Sequence, residues 1–127
     1  MRWRGRRAEF AMRDVRSASA PRAAAFDIVL AIALLHHLDD QGVRHVCALA
    51  REALVPGGRF ITYDNVYVNG QHWFARWLIS RDRGGAVRTE AAYRALAESA
   101  FADVRGEVGH DWLRVPYSIY VMTCTKT

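Results

Sequence analysis

The sequence predicts an α/β fold: parallel core strands, helices laid on the sheet and an antiparallel strand pair near the C-terminus. Three observations carry this expectation. The stretch FDIVLAIALLHHLDD, residues 26–40, opens with a nearly continuous apolar run, as in a parallel strand buried on both faces. A helical repeat and the turn Pro56-Gly57-Gly58 then lead into a second strand. A strand, helix and strand joined by short links make a right-handed crossover and hence a parallel pair. Finally, residues 101–108 and 117–125 are β-type runs whose short link contains Pro116, which permits an antiparallel pair.

Taken in order, residues 8–15 predict a short first strand ending near Asp14. Residues 17–25 are small and polar, contain Pro21 and predict a loop. Residues 26–35 are the expected central strand. Asp39 or Asp40 can cap the helix that follows. In that helix Val43, Val46, Cys47, Ala50 and Leu54 form one apolar stripe, and it should end before Pro56. Residues 59–66, RFITYDNV, alternate as a strand with Asp64 near its carboxyl end. Residues 71–79 place Trp73, Phe74, Trp77 and Leu78 at helical spacing, as core or lid packing. Thr89 starts a further helix that buries Tyr93, Leu96, Ala97 and Ala100.

A chain of 127 residues with 51% apolar and 24% charged residues suits one globular domain with a modest core. The longest apolar window, residues 23–38, contains Asp27 and two histidines and falls short of the roughly 20 apolar residues a bilayer requires. The arginines at the start precede no apolar segment, so they are no secretory signal, and a cytoplasmic setting is expected. Cys47 and Cys124 lie far apart, each in an apolar context, and suggest buried reduced thiols. The net charge of +5 is uneven: residues 1–16 contribute +4 and residues 17–127 only +1. This divides the chain into a basic arm with a first strand, 1–16, and the main domain, 17–127. The arm MRWRGRR could attract nucleic acid or an acidic surface, but a solvated arm or the exposed tail of a helix is the preferred reading.

The segments FDIVLAIALLHHLDD, LVPGGRFITYD, FADVRGEV and SIYVMTC together resemble the class I S-adenosylmethionine-dependent methyltransferases, over about residues 8–125. The resemblance implies a Rossmann-like fold, S-adenosylmethionine as cofactor and a small-molecule methyl acceptor. It implies that Asp14 and Val15 match the end of the family's third strand, which contacts the adenine. It implies that Ala33, Leu34 and Leu35 line the cofactor pocket beyond the fourth strand. Such pockets lie beyond the carboxyl ends of parallel strands. Where an acceptor needs a base, His36 and then Asp64 are the candidates.

The family's glycine-rich loop G-x-G-x-G and its ribose-binding acid have no counterpart here. Before Asp14 there is a single glycine, Gly5. The expectation is the C-terminal part of a methyltransferase domain, with residues 26–35 exposed as a strand edge that invites self-association. Two other readings stay open: a non-catalytic interaction module built on that edge, and a nucleic-acid binder acting through the arm.

Other chemistry is weaker. Adjacent histidines on a strand point to opposite faces, so His36, His37, Asp39 and Asp40 make a poor metal site. No G-x-S-x-G elbow supports a serine hydrolase. Arg81, Arg83, Arg88, Arg114 and Tyr117 could bind an acidic acceptor, since arginine pairs bidentately with such groups. A salt-bridged network tying helices to the last strands is the reading preferred for them.

Overall fold

A computed structural model describes residues 11–20, 22–67, 88–109 and 118–127. The sheet is laid down as strand β1 (Phe26–Ile32), helix α1 (Asp40–Ala53), strand β2 (Leu54–Tyr67), the two-residue strand β3 (Arg88–Thr89), helix α2 (Glu90–Glu98), strand β4 (Asp103–Gly109) and strand β5 (Ile119–Thr125). The strand order is β1-β2-β5-β4, with β3 joined to the end of β2. β1 and β2 run parallel, and β5 is antiparallel to both β2 and β4. The α/β class, the parallel crossover and the antiparallel C-terminal pair are all found.

The crossover is built as its residues dictate. Asp39 caps α1, its Oδ1 accepting from the Gly42 amide at 2.7 Å. Val43, Val46, Cys47 and Ala50 are all buried, so the predicted stripe is the face laid on the sheet; Leu54, expected to continue it, is instead the buried first residue of β2. Gly57 has φ +83, a conformation that favours glycine. The Pro-Gly-Gly turn lies within the span of β2, where the register with β1 shifts between Phe26 and Ile28. Thr89 caps α2 by accepting from the Ala92 amide. Phe60 stacks on Phe101 at 6.0 Å, joining β2 to the chain just after α2.

Three expectations are corrected. No strand is found in residues 11–15; Asp14 lies in a turn whose carbonyl accepts from the Ser17 and Ala18 amides, so local bonds replace a ladder. β1 ends at Ile32, and Leu35–His37 form a 3-10 turn. The break falls at Ala33, which has φ +54, outside the strand region. Lastly, β1 is buried on one face alone. Phe26, Ile28, Leu30 and Ile32 are 39%, 56%, 59% and 66% exposed, because α1 and α2 both pack on the opposite face. Among the described residues, β1 pairs only with β2, so its outer edge is open. The predicted 71–79 helix lies outside the described residues.

Candidate active site

The register of β1 on β2 sets the site. Ile32 lies opposite Tyr63, and the Ala33 amide donates to the Tyr63 carbonyl at 2.7 Å. β1 therefore ends level with Tyr63, while β2 runs on to Tyr67. The next residue of β2 is Asp64; three residues past Ala33 comes His36. The 3-10 turn swings His36 inward, and its Nδ1 lies 2.9 Å from Asp64 Oδ1. The same oxygen accepts from the His36 amide at 3.2 Å. The side chains are 6% and 2% exposed, so the pair is sealed from bulk water. His37 is exposed, yet its ring lies against that of His36, with centroids 4.2 Å apart; the two histidines do not point to opposite faces as expected of a strand, because they sit in a 3-10 turn.

Burial holds the Asp64 carboxyl above its usual range. The hydrogen bonds from the His36 ring and amide, the His36 charge and the Leu35 amide oppose that rise. Asp64 Oδ2 is buried without a hydrogen-bond partner among the described residues, which accounts for the cost of charging the group. An ionised carboxylate only accepts, so against it the His36 hydrogen sits on Nδ1 and the basic lone pair on Nε2. Such a pair can orient an imidazole and take a proton.

The residues expected to line the cofactor are placed unevenly. Ala33 is exposed in its left-handed conformation, Leu34 is half-buried, and Leu35 is fully buried beneath them. Val15 packs on the edge of the core. Asp14 is exposed and holds Arg16, whose side chain and amide both donate to it and keep its carboxyl below the usual range. A polar recess of about 330 Å³ opens beside this turn, lined by Arg16, Asp39, Gln41, Gly42 and His45.

Of the expected acceptor-binding set, Arg81, Arg83, Arg114 and Tyr117 lie outside the described residues. Arg88 is well placed, and its guanidinium turns inward. It donates to the Leu35 carbonyl at 3.1 Å, the Leu38 carbonyl at 2.7 Å and Asp40 Oδ1 at 3.0 Å, and it lies over the Tyr93 ring at 5.8 Å. Tyr93 in turn donates to the Asn65 carbonyl at 2.7 Å. Sequence reasoning missed this bracing of the 3-10 turn. Its partners lie about fifty residues apart, and two are carbonyls, which every residue carries.

No family model matches the chain. Over 80 residues it is 32% identical to 3-amino-4-hydroxybenzoate 4-O-methyltransferase from Streptomyces cremeus, covering 58% of this chain and 22% of that protein. The solved structure of an S-adenosylmethionine-dependent methyltransferase from Methanosarcina mazei superposes with TM-score 0.68 at 15% identity, over 94% of this chain and 68% of that one. The mitomycin 7-O-methyltransferase MmcR superposes with TM-score 0.63 at 23% identity, over 88% of this chain and 32% of that one. The chain thus spans about a fifth of the length of its curated relative. Matched in sequence to an O-methyltransferase and in fold to several methyltransferases, the chain is related to the class I S-adenosylmethionine-dependent methyltransferases.

Proposed function

We propose that the chain supplies the acceptor side of an S-adenosylmethionine-dependent methyltransferase acting on a small molecule through a hydroxyl oxygen. The observation that carries this reading is the sealed His36–Asp64 pair at the carboxyl edge of the parallel strands. When bound, the cofactor supplies an electrophilic methyl on a sulfonium leaving group. The protein then has to align an acceptor oxygen, exclude water and remove a proton. Asp64 fixes the ring through Nδ1, while His36 takes the proton at Nε2. Asp14, Val15, Ala33, Leu34 and Leu35 would form the adenine flank. Arg81, Arg83, Arg88, Arg114 and Tyr117 carry the proposal of an acidic acceptor; the inward bonds of Arg88 favour a bracing role for that residue. The oxygen acceptor is supported by the Streptomyces relative, named for 4-O-methylation of an aminohydroxybenzoate.

The glycine-rich loop and ribose carboxylate are proposed to come from polypeptide beyond these 127 residues, with its strand laid along the open edge of β1. The test is to read the gene upstream of Met1 for in-frame codons of a strand followed by G-x-G-x-G. The longer product is then assayed with labelled S-adenosylmethionine and phenolic acceptors. His36→Ala should lower turnover about 10²- to 10⁴-fold, the usual size of a lost general base. His37→Ala removes a ring that rests on His36 and should lower turnover far less than His36→Ala. Equal loss in the two variants would remove His36 from the chemistry.

A second reading, an interaction module, is favoured by the exposed stripe of Phe26, Ile28, Leu30 and Ile32. It predicts a stable dimer by light scattering; a monomer at micromolar concentration with a cooperative melt would sink it.

A further inference from the structure

We infer that Arg88 is a positioning residue for His36, acting through a single peptide group; the inference rests on the reading of His36 as the acceptor-side base. The Leu35 carbonyl and the His36 amide belong to the same planar peptide unit. Its oxygen accepts from Arg88 Nη1 at 3.1 Å, and its N–H donates to Asp64 Oδ1 at 3.2 Å. A cation thus holds one end of the peptide dipole and a carboxylate the other. Rotating that plane would break both bonds, so the plane is locked. The His36 ring follows from it, because Asp64 Oδ1 receives both the amide and Nδ1.

The far end of the turn is held by the same side chain. Arg88 Nη2 donates to the Leu38 carbonyl at 2.7 Å, so one guanidinium fork spans His36 and His37. The fork is itself fixed. Arg88 pairs with Val66 in the parallel register of β3 on β2, two residues beyond Asp64, and stacks over Tyr93. The ion pair with Asp40 is a lesser contribution, since Asp40 is 63% exposed and screened by water. A lysine offers a point charge in place of a planar fork and cannot serve both carbonyls in this geometry.

The test uses the full 127-residue chain labelled with ¹⁵N, without cofactor or acceptor. Two signals are read: hydrogen exchange at the His36 amide and the imidazole ¹⁵N shifts that report its tautomer. In Arg88→Met the His36 amide should exchange about 10-fold faster, the scale of one charge-assisted hydrogen bond. The Nδ1–H tautomer signature should give way to a mixture, while the amides of Val46 and Ala50 in α1 stay within about twofold of the parent. Arg88→Lys should fall between the two and decides the matter if the methionine variant does not fold. Asp40→Asn should leave His36 within about twofold of the parent. Unchanged His36 signals in the Arg88 variants, or an equal loss in Asp40→Asn, would overturn the inference. Neither readout involves methyl transfer, so an inactive protein whose His36 responds to Arg88 fails the functional reading alone.

Discussion

On one face of the sheet Phe60, Met122 and Cys124 are fully covered, whereas on the other Ile28, Leu30 and Ile32 stand more than half open to water. Both sets are apolar, and neighbouring strands carry them. They differ in what lies above. α1 and α2 bring Val43, Val46, Tyr93, Leu96 and Ala97 onto the first face, and no described helix reaches the second. The contrast extends to the site. The proposed acceptor side, His36 and Asp64, is buried and hydrogen-bonded, with Arg88 bonded to the adjoining Leu35 carbonyl. The proposed cofactor side consists of an exposed Ala33, an exposed Asp14 and the open recess beside Arg16. One half of the proposed site is thus buried and fully braced, and the other lies open.

Four substitutions sharpen or break this contrast. The largest effect is expected at Phe60→Ala, which empties the covered face of a fully buried ring stacked on Phe101. Truncations of this kind cost about 3–5 kcal/mol, enough to threaten a domain of this size, and a urea melt would measure it. An effect under 1 kcal/mol would mean that the covered face is loosely packed.

Asp64→Asn tests the sealed pair through its pH dependence. Burial raises the folded-state pKa of Asp64, so the folded protein holds this proton more tightly than the unfolded chain. The stability it contributes is present below the unfolded pKa and lost as pH rises through the folded value. From about pH 4 upward the parent should lose Tm relative to Asp64→Asn, and the difference should level off once Asp64 is charged. A parent that gains Tm relative to the variant over that range would show a depressed carboxyl and contradict the buried geometry.

Asp39→Ala removes the cap of α1, with an expected cost of about 1 kcal/mol by thermal melt. The smallest stability effect belongs to Ile28→Thr on the open face, within about 0.5 kcal/mol. Its main consequence should be less self-association in sedimentation. A loss as large as that of Phe60→Ala would show that the face is covered in solution.

Much of this is written in local sequence. The Val-x-x-Val-Cys-x-x-Ala stripe, Asp39, Thr89 and Pro56-Gly57-Gly58 each act within a turn or two, and each is where pattern places it. His36 and Asp64 are individually legible as polar residues at the ends of apolar strands. Their meeting is not, because it depends on the register of β1 on β2 and on the break at Ala33. The insertion of β5 between β2 and β4 leaves no local trace either, since antiparallel neighbours are chosen by the whole sheet. The open face of β1 is the instructive miss. A run of apolar residues records what a strand is suited to bury against, and it is silent about whether the covering layer is present.

The claim that this chain holds the acceptor side and one flank of the cofactor site is tested most directly by isothermal titration with S-adenosylmethionine. The account predicts no saturable heat with the isolated 127-residue chain at up to about 1 mM cofactor, a limit corresponding to a binding free energy near −4 kcal/mol. Saturable one-site binding at micromolar concentration would contradict it, and would place a complete cofactor cradle within these residues.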